Sequence, residues 1–502
     1  MKKQLLICLI GIFILSCQAE EESEDTANLG DQNRLDVPTL LPFVEEACEE
    51  GVNSLVGLQY WTWDGATVFP TEFSSSFWAS PVTLQSQAIW KTMYGYQEIN
   101  SVSSSCSSYT NLNDLLSNDC IDEQRATQNP RDLRICSNQP YDRPSIQAAA
   151  LSVAGTLEEA FNFAAGTGGV GALSPLALLL LPDIKYEREG KQDLALTDNA
   201  GWVLSNKFPG VANYLVFYPM SETYLATDKP PFWEVPWVIN HEYGHHLFYN
   251  YLGQKARIKF GYAGIVDNAA HGGVNEHHHG HSHSHSHGLA SHSHHSHEHQ
   301  GVMERTAHSH HRNLDTTTRE GKNDVFFTGI NEGFADLFAH YSLNNSSVQM
   351  TSISCRFDFR DVSNDLLNNG LPKRFDRNDF PQSDASVCEI VDYGSVHTIG
   401  SIMASFFDRM VESAGYSNPM AKGRLLFTFL QDFAGSLEGA LPDDNLLPSD
   451  LALLYTSSVF NTLTMNGQAI SARQCEIVDE VFGDSFTFPR RFVDNFSLCV
   501  SQ

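Results

Sequence analysis

Basic residues are scarce in this chain of 502 residues: 31 Lys and Arg stand against 60 Asp and Glu, a formal charge of -29. A surface of that sign repels nucleic acid and anionic lipid headgroups, which excludes both as partners. Long apolar runs are missing as well. The stretch from Leu5 to Leu15, and the LALLLL run between Pro175 and Pro182, both fall short of the roughly 20 residues that a membrane-spanning helix needs. Ten cysteines are present, none spaced as CxxC, so a cysteine-bound metal knuckle is excluded. What remains, with 42% hydrophobic and 11% aromatic residues, is the composition of a globular protein with a sizeable core.

The N-terminus has a different character. Lys2 and Lys3 precede the short apolar stretch, which ends in Ile14-Leu15-Ser16-Cys17. This order resembles a bacterial lipobox, which implies cleavage before Cys17, acylation of that cysteine and a place in the bacterial cell envelope. A plain secretory signal with an incidental Cys17 is the alternative. By the same resemblance, Gln18 in place of Asp implies the outer membrane, met through the lipid only. Residues 18–36, with Glu20, Glu21, Glu22, Glu24 and Asp25, read as an acidic tether. Setting Cys8 and Cys17 aside leaves eight cysteines, four before residue 140 and four after 350. An even number in an exported chain predicts disulfides, with pairing inside each group.

The rest divides into an N-terminal region, 37–235, and a helical region, 236–502. Residues 145–165 read as a helix, and LALLLL and Tyr214–Tyr218 as strands. Gly166 to Gly171 matches GxGxxG but follows a helix, so it reads as a loop. Helical patterns recur at 235–253, 330–344, 395–414 and 421–435. Between them, residues 269–313 form a histidine-rich insert; 271–311 hold sixteen of the chain's 21 histidines, with no apolar period.

Three short segments carry chemistry. His241-Glu242-Tyr243-Gly244-His245 is HExxH. On a helix, His241 and His245 share a face and can point at one metal ion, with Glu242 beside it as a proton acceptor. Asn331-Glu332-Gly333-Phe334-Ala335-Asp336 reads as the opening of a second helix. There Glu332 can supply a third ligand and Asp336 can fix a histidine tautomer. Asp392-Tyr393-Gly394-Ser395-Val396-His397 sets a histidine at a helix start near an aspartate, suited to stabilising an oxyanion. His246 and His340 read as packing or surface residues.

HEYGH, NEGFAD and DYGSVH, in this order, resemble the thermolysin family of zinc metallopeptidases over about residues 200–435. The resemblance implies an α+β fold of two lobes, mixed at the N-terminal side and mainly helical at the C-terminal side. It further implies a zinc endopeptidase acting on polypeptides, with one catalytic Zn2+ held by His241, His245 and Glu332. Glu242 would be the general base, Asp336 would orient His241, and His397, held by Asp392, would steady the transition state. The long interval between His245 and Glu332 requires the histidine-rich insert to loop out. The family's active-site tyrosine and calcium ligands have no assigned counterparts, and the stretch between Cys17 and His241 leaves no room for the usual cleavable propeptide. The insert itself can bind further Zn2+, Ni2+ or Cu2+ loosely. It serves either as a metal trap or as a solvated low-complexity segment. The competing function is a catalytically inactive surface lipoprotein that scavenges zinc through this tract.

Overall fold

The structure is a computed structural model. It describes most of residues 51–99, 127–186, 200–260, 319–344, 360–375, 396–465 and 467–483, with short gaps, together with Cys499. Cys17, the histidine-rich insert and Asp392 lie outside the described residues.

The fold is mixed α+β. Strands β1 (Gln59–Trp63) and β2 (Val68–Glu72) form an antiparallel hairpin. A second sheet contains β3 (Lys91–Ile99), β4 (Thr127–Asp132), β5 (Leu176–Tyr186), β6 (Ala200–Phe208) and β7 (Val211–Phe217), in the order β4-β3-β5-β7-β6. The three inner strands run parallel, and each outer strand pairs antiparallel with its neighbour. The apolar run of β5 is explained by this position. Leu176, Leu178 and Leu180 face the main core, whereas Ala177, Leu179 and Leu181 face a second cluster with Met93, Val203, Tyr214 and Val216. A strand buried on both faces needs no polar alternation.

Helix α1 (Ile146–Thr167) is capped by Ser145, whose hydroxyl accepts from the Ala148 N–H, and it ends at Gly168 with φ 85°. That left-handed residue is the second glycine of the GxGxxG match, so the motif here ends a helix. Helix α2 (Pro236–Tyr251) starts with proline in its first turn, where the missing N–H costs nothing. It is followed by α3 (Gln254–Lys259), α4 (Arg319–Ser342), α5 (Val396–Ser413), α6 (Pro419–Ala440), α7 (Pro448–Met465) and α8 (Ala472–Phe482). No helix among the described residues is long and apolar enough to cross a membrane.

One boundary differs from the sequence reading. NEGFAD does not open a helix: α4 begins at Arg319, and Glu332 sits in its middle. The preceding turns carry two glycines, Gly321 and Gly329, and several polar residues, which masks their period. Val325, Phe326, Phe327 and Ile330 are nevertheless all buried and bind those turns to the core.

Helix α2 lies between the two kinds of structure. It packs against α1, β6 and β7 on one side and against α4 on the other. Helix α4 in turn packs closely on α5, and α8 closes over α5. A disulfide, Cys475–Cys499, ties α8 to the C-terminal segment, one pairing within the C-terminal group of cysteines.

Candidate metal centre

Helical spacing brings His241 and His245 to the α4-facing side of α2. Their rings meet edge to face at 4.5 Å, and their Nε2 atoms are 2.9 Å apart. The approach of α4 depends on Gly244: a Cβ there would come within 2.9 Å of the Ala335 Cα. The second approach, α4 to α5, is closer still. A Cβ at Gly333 would lie 2.6 Å from the Gly400 carbonyl oxygen, and one at Gly400 would lie 2.7 Å from the Glu332 Cβ. The glycines within and beside the sequence motifs thus let three helix backbones nearly touch.

This contact assembles the site. Glu332 Oε2 lies 3.3 Å from His241 Nε2, and Glu332 Oε1 lies 3.6 Å from His245 Nε2. All three side chains are buried, and their donor atoms fall within 4.8 Å of one another. Two imidazoles and a carboxylate converging in the buried interior form a group that can hold a metal ion. Glu242, also buried at 3% exposure, follows His241 on the same helix.

The remaining residues surround that group. Asp336 Oδ1 stands 2.9 Å from His241 Nδ1. His397, the second residue of α5, places Nε2 3.5 Å from Glu332 Oε2 and keeps 20% of its side chain exposed. The structure therefore brings together His241, Glu242, His245, Glu332, Asp336 and His397. His246 and His340 are both buried packing residues, and burial pushes their pKa values down to about 3 and about 4.

Two participants carry no motif. Arg360, 3% exposed, donates from Nη2 to Asp336 Oδ1 at 2.7 Å and to Glu332 Oε2 at 3.0 Å, and from Nε to Asp336 Oδ2 at 3.2 Å; the same Nη2 lies 3.1 Å from His241 Nε2 and 3.3 Å from His241 Nδ1. Burial opposes its charge, but the attraction of Asp336 and Glu332 prevails and holds its pKa above the ordinary guanidinium value. Burial raises the Asp336 carboxyl, and Arg360 opposes that rise. Trp237 stacks on His241 with centroids 5.0 Å apart and planes 12° apart. Its position one helical turn before His241 was a legible signal. Arg360 had none, because it lies outside the named α-helices and its place depends on the tertiary path of the chain.

Among the described residues, the buried carboxylates Glu242, Glu332 and Asp336 lie near the buried Arg360 guanidinium, and Lys373 is influenced by Asp361, Asp336 and Asp365.

Comparison with protein-family models, with curated proteins and with solved structures finds no match.

Proposed function

We propose that the chain is a zinc-dependent endopeptidase of the thermolysin-like kind, exported and anchored through Cys17 in the bacterial envelope. The observation that carries this reading is the triangle of donor atoms. Zinc with four ligands at about 2.0–2.1 Å sets those ligands about 3.3 Å apart. The separations of 2.9, 3.3 and 3.6 Å fall around that value. The lobes of that family would correspond to the sheet-bearing region and the helical region on either side of α2.

A zinc ion held there supplies Lewis-acid polarisation of the scissile carbonyl and an acidified water. The Glu242 carboxylate takes a proton from the attacking water and passes it to the departing amine, so that water divides between the two new ends. His397, reachable from solvent, donates a hydrogen bond to the developing oxyanion. Asp336 accepts from His241 Nδ1 and thereby fixes the tautomer that presents Nε2 to the site. Arg360 grips both Asp336 oxygens and so holds that orientation in place.

The sixteen histidines between residues 271 and 311 support a second reading, an inactive scavenger of Zn2+, Ni2+ or Cu2+. A quenched-fluorescent peptide library, with metal counted in wild type and Glu242→Gln, separates the two. The peptidase reading expects cleavage by wild type and a loss of at least about 10²-fold in the variant, with tight zinc retained. Equal cleavage by both removes Glu242 from the chemistry. No cleavage by either, with many metals bound per chain, establishes the scavenger.

A further inference from the structure

We propose that Trp237 is a positioning residue for the metal: its indole face holds the His241 imidazole at the angle from which Nε2 reaches the ion. The assignment rests on the metal-centre reading above and adds a residue to it.

A histidine ligand has two motions to suppress. Asp336, 2.9 Å from Nδ1, fixes the direction of the ring within its plane. A single contact at Nδ1 is a soft restraint, and small coupled changes of χ1 and χ2 can still tilt the ring and carry Nε2 out of the site. A flat, rigid surface parallel to the imidazole blocks that tilt. Trp237 provides one: its ring lies 12° from parallel at 5.0 Å, an offset stack. Neither ring has room to move, because Trp237 is 1% and His241 2% exposed.

The stack is braced from a second direction. The Arg360 guanidinium lies over the Trp237 ring at 5.3 Å while it binds both oxygens of Asp336. One cation therefore touches both of the groups that orient His241, the carboxylate at Nδ1 and the indole on the ring face, and reaches the imidazole nitrogens itself. Trp237, His241 and His245 also follow one another at intervals of four along α2. The helix that supplies two ligands thus supplies the support for the first of them. An aliphatic residue of similar bulk would fill the volume, but it would offer no plane to hold the ring.

The test compares wild type, Trp237→Phe and Trp237→Leu for zinc affinity, by competition with a chelator. The histidine tract is identical in all three, so differences report the buried site. Trp237→Leu is expected to weaken zinc binding 10–100-fold, the usual loss when a support of a ligand is removed. Trp237→Phe, which keeps an aromatic face, is expected to stay within about threefold of wild type. Equal affinity in all three chains, or equal loss in Phe and Leu variants with unchanged circular dichroism, overturns the assignment.

A second readout does not depend on Trp237→Leu folding. One equivalent of Co2+ should quench part of the tryptophan emission of wild type, and that part should be missing from Trp237→Phe. Quenching that is the same in both overturns the assignment. Absence of any tight metal in wild type overturns the metal centre itself, which no difference among the variants could do.

Discussion

The two sides of α2 bury their residues by opposite rules. Toward the sheet, β5 places leucine or alanine at every position from Leu176 to Leu181, and apolar neighbours meet it on both faces. Toward α4 and α5, the interior holds His241, Glu242, His245, Glu332, Asp336 and Arg360, each at 3% exposure or less. The sheet side relies on apolar area, which is non-directional and tolerates small shifts. The helix side relies on polar partners at fixed distances, and each group left without a partner would cost the full penalty of burial. The contrast shows where this molecule accepts an energetic burden, at a cluster that could hold a metal ion.

The largest effect is expected where the helix side has no slack. Gly400→Val sets side-chain atoms against Glu332 and the backbone of Gly333, which cannot move without displacing a ligand. The loss should exceed about 4 kcal/mol. Recovery of soluble protein and the circular-dichroism melt would check it; a folded variant with wild-type zinc affinity would show that the close contact is dispensable.

On the sheet side, Leu178→Ala removes a fully buried side chain and should cost about 2–5 kcal/mol. Zinc affinity measured well below the melting temperature should stay unchanged, because β5 contributes nothing to the ligand set. A fall in both together would erase the distinction between the two sides.

The smallest effect concerns acid. Burial lowers the pKa of His340, Lys422 and Lys373 act in the same direction, and Asp408 and Asp361 oppose them, for a net value of about 4. The unfolded value, near 6.5, is higher. Below pH 6.5 the unfolded chain takes up a proton that the folded chain refuses, so this part of the stability is intact above pH 6.5 and falls away towards pH 4. His340→Gln should flatten that decline by on the order of 1–3 kcal/mol in denaturant titrations across the window. An unchanged slope would mean that other groups set the acid limit.

Much of this fold was legible before the structure. The helix expected over 145–165 runs from Ile146 to Thr167, and the segments expected near 235–253, 395–414 and 421–435 are α2, α5 and α6. Their signals were local: a capping serine, prolines in first turns, an apolar face. The start of α4 was missed because its first turns are held by contacts with the core rather than by a period of their own. Helices α7 and α8 were not assigned. In the candidate site, spacing marked His241, His245, Glu332, Asp336 and His397, while Arg360 left no trace in the pattern.

The sequence by itself determined which residue types could bind a metal and which of them share a helix face, because a period of 3.6 residues depends only on the backbone. It also determined the formal charge of -29. Only the tertiary structure decided that α2, α4 and α5 approach through Gly244, Gly333 and Gly400, that Arg360 enters from outside the helices, and that Trp237 lies flat on His241. Those placements join segments far apart in the chain. The cost of closing the intervening loops is met by packing the whole core, and no short stretch of residues carries that information.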